Sequence, residues 1–183
     1  MKMKKESPAY AEHVLDLFTE IMHRIVILQP LNNLGANITQ SLVQGMQYLF
    51  HHDACSVRDL AQGLDISYSA SSQLVDRMVK KNLATRCENK DDRRISEICL
   101  TEEGRRIVEE IRLRRIDGIS KILGKMDQSA RKSLVANVET FITAAIGDEE
   151  SAAETCLRCA RDHLAECIVK EVYKRTMQPG DHS

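Results

Sequence analysis

The hydrophobic period of the chain changes twice, and this pattern limits the fold more than any single motif does. Up to Asn82, apolar residues recur at helical spacing. Residues 84–88 and 95–100 then alternate like two short strands around a polar turn, and the helical period returns after Thr101. Only three prolines and eight glycines occur in 183 residues, so little interrupts long helices. The sequence therefore predicts a mainly α-helical protein with one small β-hairpin.

Capping residues and breakers set the expected helix bounds. Pro30 should end the first helix, and the predicted N-caps are Asn37 or Thr39, then Ser56, Thr101 and Asp127. The predicted helices cover, in order, about residues 8–30, 37–53, 57–63, 69–81, 101–123, 127–142 and 153–177. Residues 147–151 read as a linker. Helices followed by a two-stranded hairpin in this order give the winged variant of the helix-turn-helix.

The helices over 57–63 and 69–81, with Asp65-Ile66-Ser67 between them, have the pattern of a DNA-reading helix-turn-helix. Small polar residues at the start of the second helix allow the backbone to approach a major groove. The predicted presenting surface consists of Ser67, Tyr68, Ser69, Ser71, Ser72, Gln73 and Arg77. Gln73 can read adenine through two hydrogen bonds, and Arg77 can reach guanine or phosphate. The alternative is that these serines only cap a helix.

Charge is distributed unevenly along the chain. The net charge of −1 excludes a uniformly basic nucleic-acid binder. Residues 77–94, however, hold seven basic and three acidic side chains, a local excess that fits a phosphate-binding surface. Within the hairpin turn, Lys90, Arg93 and Arg94 are candidate DNA contacts, and Arg93 or Arg94 can enter a minor groove. The alternatives are a solvated charged turn or a patch that meets an acidic protein partner.

Five segments together resemble the MarR family of winged-helix transcription regulators. They are residues 56–61, 66–67, 73–83, the Asp-Asp-Arg-Arg turn at 91–94, and Leu-Thr-Glu-Glu-Gly at 100–104. The resemblance covers about residues 10–146 and implies a homodimer with intertwined terminal helices. It also implies a pseudo-palindromic operator and repression relieved by an effector. By the same resemblance, Asp92 braces Arg94 within the wing. Asn82 departs from the family's frequent glycine, but asparagine also adopts the left-handed conformation.

The resemblance also suggests how the chain is divided. We expect an N-terminal dimerisation helix at 1–35, a winged helix-turn-helix lobe at 36–100, dimerisation helices at 101–146 and a Cys-rich helical extension at 147–183. A small-molecule effector would bind where the first helix, the DNA-reading lobe and the long helix after Thr101 meet. No apolar run approaches the roughly 18 residues that span a bilayer, and the N-terminus lacks the apolar stretch of a signal peptide. We therefore expect a cytoplasmic protein without membrane contact.

The extension contains a Cys-x2-Cys-x3-His-x3-Cys pattern, formed by Cys156, Cys159, His163 and Cys167. These residue types bind zinc or an iron–sulfur cluster. On one helix they share an arc of about 80°, but the end residues lie roughly 16 Å apart. One metal ion therefore requires a break in the helix or a site shared with a partner subunit. Thiol redox sensing and simple packing are the alternatives.

Three further cysteines lie outside this pattern, and the sequence lacks the motifs of common enzyme classes. Cys55, Cys87 and Cys99 lie singly, and we interpret them as reduced, small hydrophobic residues. No nucleophile–base signature and no glycine-rich phosphate loop occurs, so we predict that the protein is not an enzyme. A metal- or thiol-dependent enzyme and a winged-helix protein-interaction module are the competing interpretations.

Overall fold

Nine α-helices, one π-helical segment and three strands make up the part of the chain that the computed structural model describes, namely residues 7–32, 34, 38–88, 96–159 and 167–176. The helices are α1 (Pro8–His23), α2 (Gln29–Leu31), α3 (Gln40–His52), α4 (Val57–Leu64), α5 (Tyr68–Lys80), α6 (Glu102–Leu123), α7 (Gln128–Ala145), α8 (Glu149–Arg158) and α9 (Ile168–Thr176). The π-helical segment is Arg24–Leu28, and the strands are β1 (Ala54–Cys55), β2 (Ala84–Glu88) and β3 (Ser96–Leu100).

The predicted N-caps are confirmed. Thr39, Ser56, Thr101 and Asp127 each have an extended backbone, and each side chain accepts a hydrogen bond from an N–H in the first turn. At Ser56 the bond is reciprocal, because the Asp59 carboxylate accepts the Ser56 N–H at 2.9 Å. These bonds satisfy backbone donors that a helix otherwise leaves without partners.

The N-terminal helix ends at Leu31, one residue beyond the predicted stop at Pro30, but it contains a π-helical segment that the sequence did not predict. The helix continues to Leu31 through the π-helical segment, in which the Gln29 N–H bonds the Arg24 carbonyl. Proline has no N–H to bond the carbonyl four residues earlier, which belongs to Val26. The guanidinium of the buried Arg115 on α6 donates to that carbonyl instead, at 3.2 Å. A side chain from another helix therefore replaces the lost backbone bond and ties the N-terminal helix to α6.

The sheet has three antiparallel strands in the order β1-β3-β2, whereas the sequence predicted only the β2–β3 hairpin. β1 pairs Ala54 with Cys99 and Cys55 with Ile98. A strand of two residues shows no alternation of polar and apolar side chains, so the pattern could not reveal it. The added strand holds the base of the wing against the end of α3.

One core joins the helix-turn-helix to the sheet and to α6. Its fully buried side chains include Leu42, Met46, Leu49, Leu60, Val75, Met78, Ile98 and Ile111. Close packing leaves no room at Gly63, where a Cβ would lie 1.9 Å from the Tyr48 ring. The orientation of α4 and α5 is therefore set by a well-packed core beneath them.

Neither α1 nor α7 buries a single residue in this core. The apolar side chains of α1 are instead about half exposed; they are Val14, Leu15, Leu17, Phe18 and Ile21. Phe141 on α7 and Leu113 on α6 are more than half exposed as well. No helix in the described ranges combines the length and the apolar composition that a membrane span needs.

The C-terminal extension is not the single helix that we predicted. It forms α8 and α9, which pack together and bury Ala152 and Val172 beside Ile146 of the preceding turn. Folding back lets the two apolar stripes cover each other, which one straight helix would leave in water. Tertiary burial therefore ends α8 at Arg158, although no glycine or proline follows it at once.

Candidate nucleic-acid interface

The turn of the helix-turn-helix is built by two local features. Asp65 ends α4 in the left-handed conformation, with φ of 54°, which aspartate tolerates better than most residues. The Ile66 N–H then bonds the Ala61 carbonyl at 3.0 Å, and Ser67 caps α5 by accepting the Ala70 N–H at 3.2 Å. α5 therefore begins immediately after the turn, with its first residues exposed.

Ser71 does not belong to the presenting surface on which we placed it. Its side chain is fully buried, and its hydroxyl donates to the Val57 carbonyl at 2.9 Å. This bond joins the second turn of α5 to the first turn of α4. Ser71 therefore positions α5, the second or recognition helix of the helix-turn-helix, and does not present a group to a ligand. This corrects the prediction made from the sequence.

The other predicted residues of α5 lie on its outer face. Ser67, Ser69, Gln73 and Arg77 are exposed, and Ser72 is half-buried. Tyr68 is 62% exposed, which is high for so large a ring. The Arg77 Nε donates to the Gln73 carbonyl at 3.3 Å, an exposed contact that a phosphate or base can replace. The structure thus brings small polar groups, an amide and a guanidinium onto one face of α5.

Four predicted wing residues lie outside the described residues: Lys90, Asp92, Arg93 and Arg94. The described part of the wing is the β2–β3 ladder, which extends from Ala84 opposite Leu100 to Glu88 opposite Ser96. Near its base, Arg86 forms an exposed ion pair with Asp76 of α5 at 3.1 Å. This contact connects the recognition helix directly to the wing.

Cys87 and Cys99 form a disulfide across β2 and β3, with their Cα atoms 6.3 Å apart. The interpretation of these two cysteines as separate, reduced hydrophobic residues is therefore wrong. They lie 12 residues apart in sequence, and only the strand register shows that they share one face of the hairpin. Cys55 is buried as predicted, and burial raises the pKa of its thiol to about 12, with the Asp59 and Glu97 carboxylates adding to the effect.

The Leu-Thr-Glu-Glu-Gly segment joins the wing to the start of α6, a role that sequence reasoning missed. The Thr101 hydroxyl donates to the Asn82 carbonyl at 2.8 Å and accepts the Gly104 N–H at 3.1 Å. A Cβ at Gly104 would lie 2.1 Å from the Leu83 carbonyl oxygen. Asn82 adopts φ of 57°, the left-handed conformation expected for it. The glycine is needed because two backbone segments touch there, which a sequence motif signals but does not explain.

Of the predicted metal ligands, Cys156 and Cys167 line one cavity between α8 and α9, but the described residues do not bring three such ligands together. Cys156 is exposed, Cys159 and Cys167 are half-buried, and His163 lies outside the described residues. No group of three or more histidine, cysteine, aspartate or glutamate side chains among the described residues can hold a metal ion. Zinc and iron–sulfur binding are therefore unsupported.

The extension contacts the helix-turn-helix, which the sequence did not reveal. A cleft of about 790 Å³ separates α8 from the turn after α4. Glu150, Glu154 and Asp65 all line it, close to the Ser67 cap of the recognition helix. The available signal was the spacing of Glu150, Ala153, Glu154 and Leu157, which places them on one helical face. A group of carboxylates thus lies beside the N-terminus of α5.

Comparison with known proteins agrees with this geometry. The MarR family model matches residues 47–95, which include α4, the turn, α5 and β2, the first strand of the wing. The HTH-type transcriptional regulator YsmB of Bacillus subtilis, itself uncharacterized, is 30% identical over 107 residues, which are 57% of this chain and 73% of that protein. The HTH-type transcriptional repressor MdtR of Bacillus subtilis is 26% identical over 149 residues, 81% of this chain and 82% of that protein.

A solved structure extends the similarity to most of the chain. RV1404 from Mycobacterium tuberculosis superposes with a TM-score of 0.71 at 26% identity, covering 81% of this chain and all of that one. The winged helix-turn-helix, the long flanking helices and the matched segments thus agree. The chain belongs to the MarR family of winged-helix transcription regulators.

Proposed function

We propose that the protein is a homodimeric, sequence-specific repressor that leaves a pseudo-palindromic operator when an effector binds. The observation that supports it best is the outer face of α5, where exposed polar groups lie over a fully packed core. A rigid scaffold with small polar side chains at the start of a helix suits insertion into a major groove. The naming of MdtR as a repressor supports the same direction of regulation.

The DNA contacts are divided between the helix and the wing. Ser67, Ser69, Ser72 and Arg77 face the phosphates and base edges, and Gln73 reads a base in the major groove. Lys90, Arg93 and Arg94 of the wing approach the adjacent minor groove, with Asp92 bracing Arg94. Ser71 supports this surface from below. The basic excess of residues 77–94 makes the binding strongly dependent on salt.

A second copy of the chain covers the exposed apolar faces of α1, α6 and α7. Exposed apolar patches of this extent are uncommon on proteins that act as monomers. Residues 1–35 and 101–146 form the dimerisation part and residues 36–100 the DNA-binding lobe. Twofold symmetry then places the two copies of α5 about one turn of DNA apart, roughly 34 Å.

We propose a small molecule as the effector; zinc and iron–sulfur binding have no support among the described residues. The matched relatives are transcriptional regulators by name, and we propose that this chain likewise has no catalytic activity. A repressor acts where the operator is, so we place the protein in the cytoplasm with the DNA.

Selection from random duplex DNA, followed by affinity measurement at several salt concentrations, tests the proposal. We expect enrichment of an inverted repeat with half-sites about 10 base pairs apart. Gln73→Ala should cost about 1–3 kcal/mol on the selected site and little on unrelated DNA. Thr155→Ala, an exposed change on α8 outside the DNA-binding lobe and the dimerisation part, is the matched control. Equal affinity for selected and unrelated sequences would contradict sequence-specific repression.

A further inference from the structure

A second cavity lies on the other side of α8, between α8, α9 and the end of α3. Its volume is about 600 Å³, which is in the range of small-molecule sites. Ala152, Leu157 and Val169 contribute apolar walls, and His52 of α3 lies at the cavity with its ring stacked on Tyr48, the two ring centroids 4.2 Å apart. Two of the helices that form this cavity, α8 and α9, belong to the extension beyond the matched family segment, whereas His52 at the end of α3 lies within that segment.

The polar groups of this cavity indicate the chemistry of an occupant. Among the described residues that line it, Lys170 is the one lysine or arginine, and His52 is the one histidine. No carboxylate is among those lining residues, although the extension as a whole is acidic. Apolar walls with a cationic group at one place favour an apolar molecule with a single negative charge.

α8 separates this cavity from the cleft at the recognition helix. Ala153 and Leu157 line both spaces, while Glu150 and Glu154 face the cleft beside Ser67. A ligand that packs between α8 and α9 adds apolar contacts that hold α8 in this position. The two carboxylates then stay beside the start of α5, where a DNA phosphate must approach, and like charges repel.

From this arrangement we infer that the cavity between α8, α9 and His52 binds a small apolar anion, and that binding weakens DNA affinity through α8. The inference rests on the proposed DNA-binding function and deepens it by placing the effector in the extension. The carboxylates act on DNA through their field, so the coupling diminishes as salt increases.

Cys156 and Cys167 both line the cavity, and Cys156 is the exposed thiol of the two, so alkylation of Cys156 reports whether the cavity is occupied. The probe is 8-anilinonaphthalene-1-sulfonate, which joins apolar rings to one negative charge. Iodoacetamide labelling of the full chain, read by peptide mass spectrometry, should slow about tenfold at Cys156 when the probe is at about ten times its Kd. Cys159 does not line the cavity and is the internal reference.

Substitution at Lys170 separates this cavity from the exposed apolar faces, to which the probe can also adhere. In Lys170→Gln, about three to five times more probe should be needed for the same protection of Cys156. Lys170→Arg should restore the wild-type concentration. Lys132→Gln on α7 should change nothing. Probe fluorescence without protection of Cys156, or equal behaviour of Lys170→Gln and Lys132→Gln, overturns the assigned site.

DNA binding in the same solutions tests the coupling. The probe should raise the Kd for the selected operator about fivefold at low salt, and Glu150→Gln with Glu154→Gln should remove most of this change. Full protection of Cys156 with unchanged DNA affinity overturns the coupling. If the probe-free chain binds no operator, the proposed function fails. If the probe nevertheless protects Cys156, the assignment of the cavity as a binding site stands.

Discussion

Removal of the Cys87–Cys99 disulfide should lower the free energy of unfolding, and the length of the loop that the bond closes determines by how much. The bond joins residues 12 apart and closes a short loop that contains the wing turn. The chain-entropy relation for a loop of this size gives about 3 kcal/mol at 25 °C, because the unlinked unfolded chain gains conformations. The double variant Cys87→Ser, Cys99→Ser should therefore lose about that much free energy of unfolding.

Urea unfolding at a fixed protein concentration measures this loss, since the stability of a dimer depends on its concentration. Thiol titration of the unfolded, unreduced chain should find four free thiols, those of Cys55, Cys156, Cys159 and Cys167. Reductant should lower the stability of the wild type and leave the double variant unchanged. Cys156→Ser is the matched control, because this thiol is exposed and unbonded to another cysteine.

A loss well below about 1 kcal/mol, or six free thiols, would refute this reasoning about the wing. The same variants have a second readout in operator affinity. The disulfide closes the chain segment that contains Arg93 and Arg94, and a closed segment has fewer conformations to lose on binding, so removal of the disulfide should lower the affinity for the operator. Contacts made by α5 should be unaffected.

Three further predictions follow from individual contacts. Gly104→Ala should cost about 1–3 kcal/mol in urea unfolding, because the new Cβ meets the Leu83 carbonyl oxygen; at Gly147, where a Cβ has nothing within 4 Å, the same change should cost much less. Ser71→Ala should cost about 1 kcal/mol by leaving the Val57 carbonyl without its donor, and Ser69→Ala, a change at an exposed hydroxyl, should cost less. The Cys55 thiol, with its pKa near 12, stays protonated at pH 8, so iodoacetamide should label Cys156 long before Cys55 in the folded chain; comparable labelling rates would contradict the burial of Cys55.

Much of the DNA-binding lobe could be predicted because its signals are local. A cap such as Ser56 or Thr101 acts within four residues, and helical periodicity marks the buried face of α5. Gln73 and Arg77 were placed correctly on the exposed face for that reason. Ser71 was misplaced, since a serine near the start of a helix suits either a ligand surface or a bond to a neighbouring helix. Which of these it makes depends on the position of α4.

The features that were missed all depend on contacts between distant residues. The short strand β1 exists only because β3 offers it unpaired backbone groups. The disulfide depends on a strand register, and the donor that bonds the Val26 carbonyl before Pro30 is the guanidinium of Arg115, 89 residues away. None of these leaves a trace in local composition or periodicity.

Local propensity, capping and hydrophobic period thus determined the helices and the β2–β3 hairpin of the DNA-binding lobe, and the matched motifs determined the family. Only the tertiary structure decided how the extension folds and where it lies. Burial of Ala152 against α9 divided the expected single helix, and packing on α4 brought Glu150 and Glu154 to the recognition helix. The physical reason is that local terms act within a few residues, whereas burial of apolar surface depends on which segments meet in space.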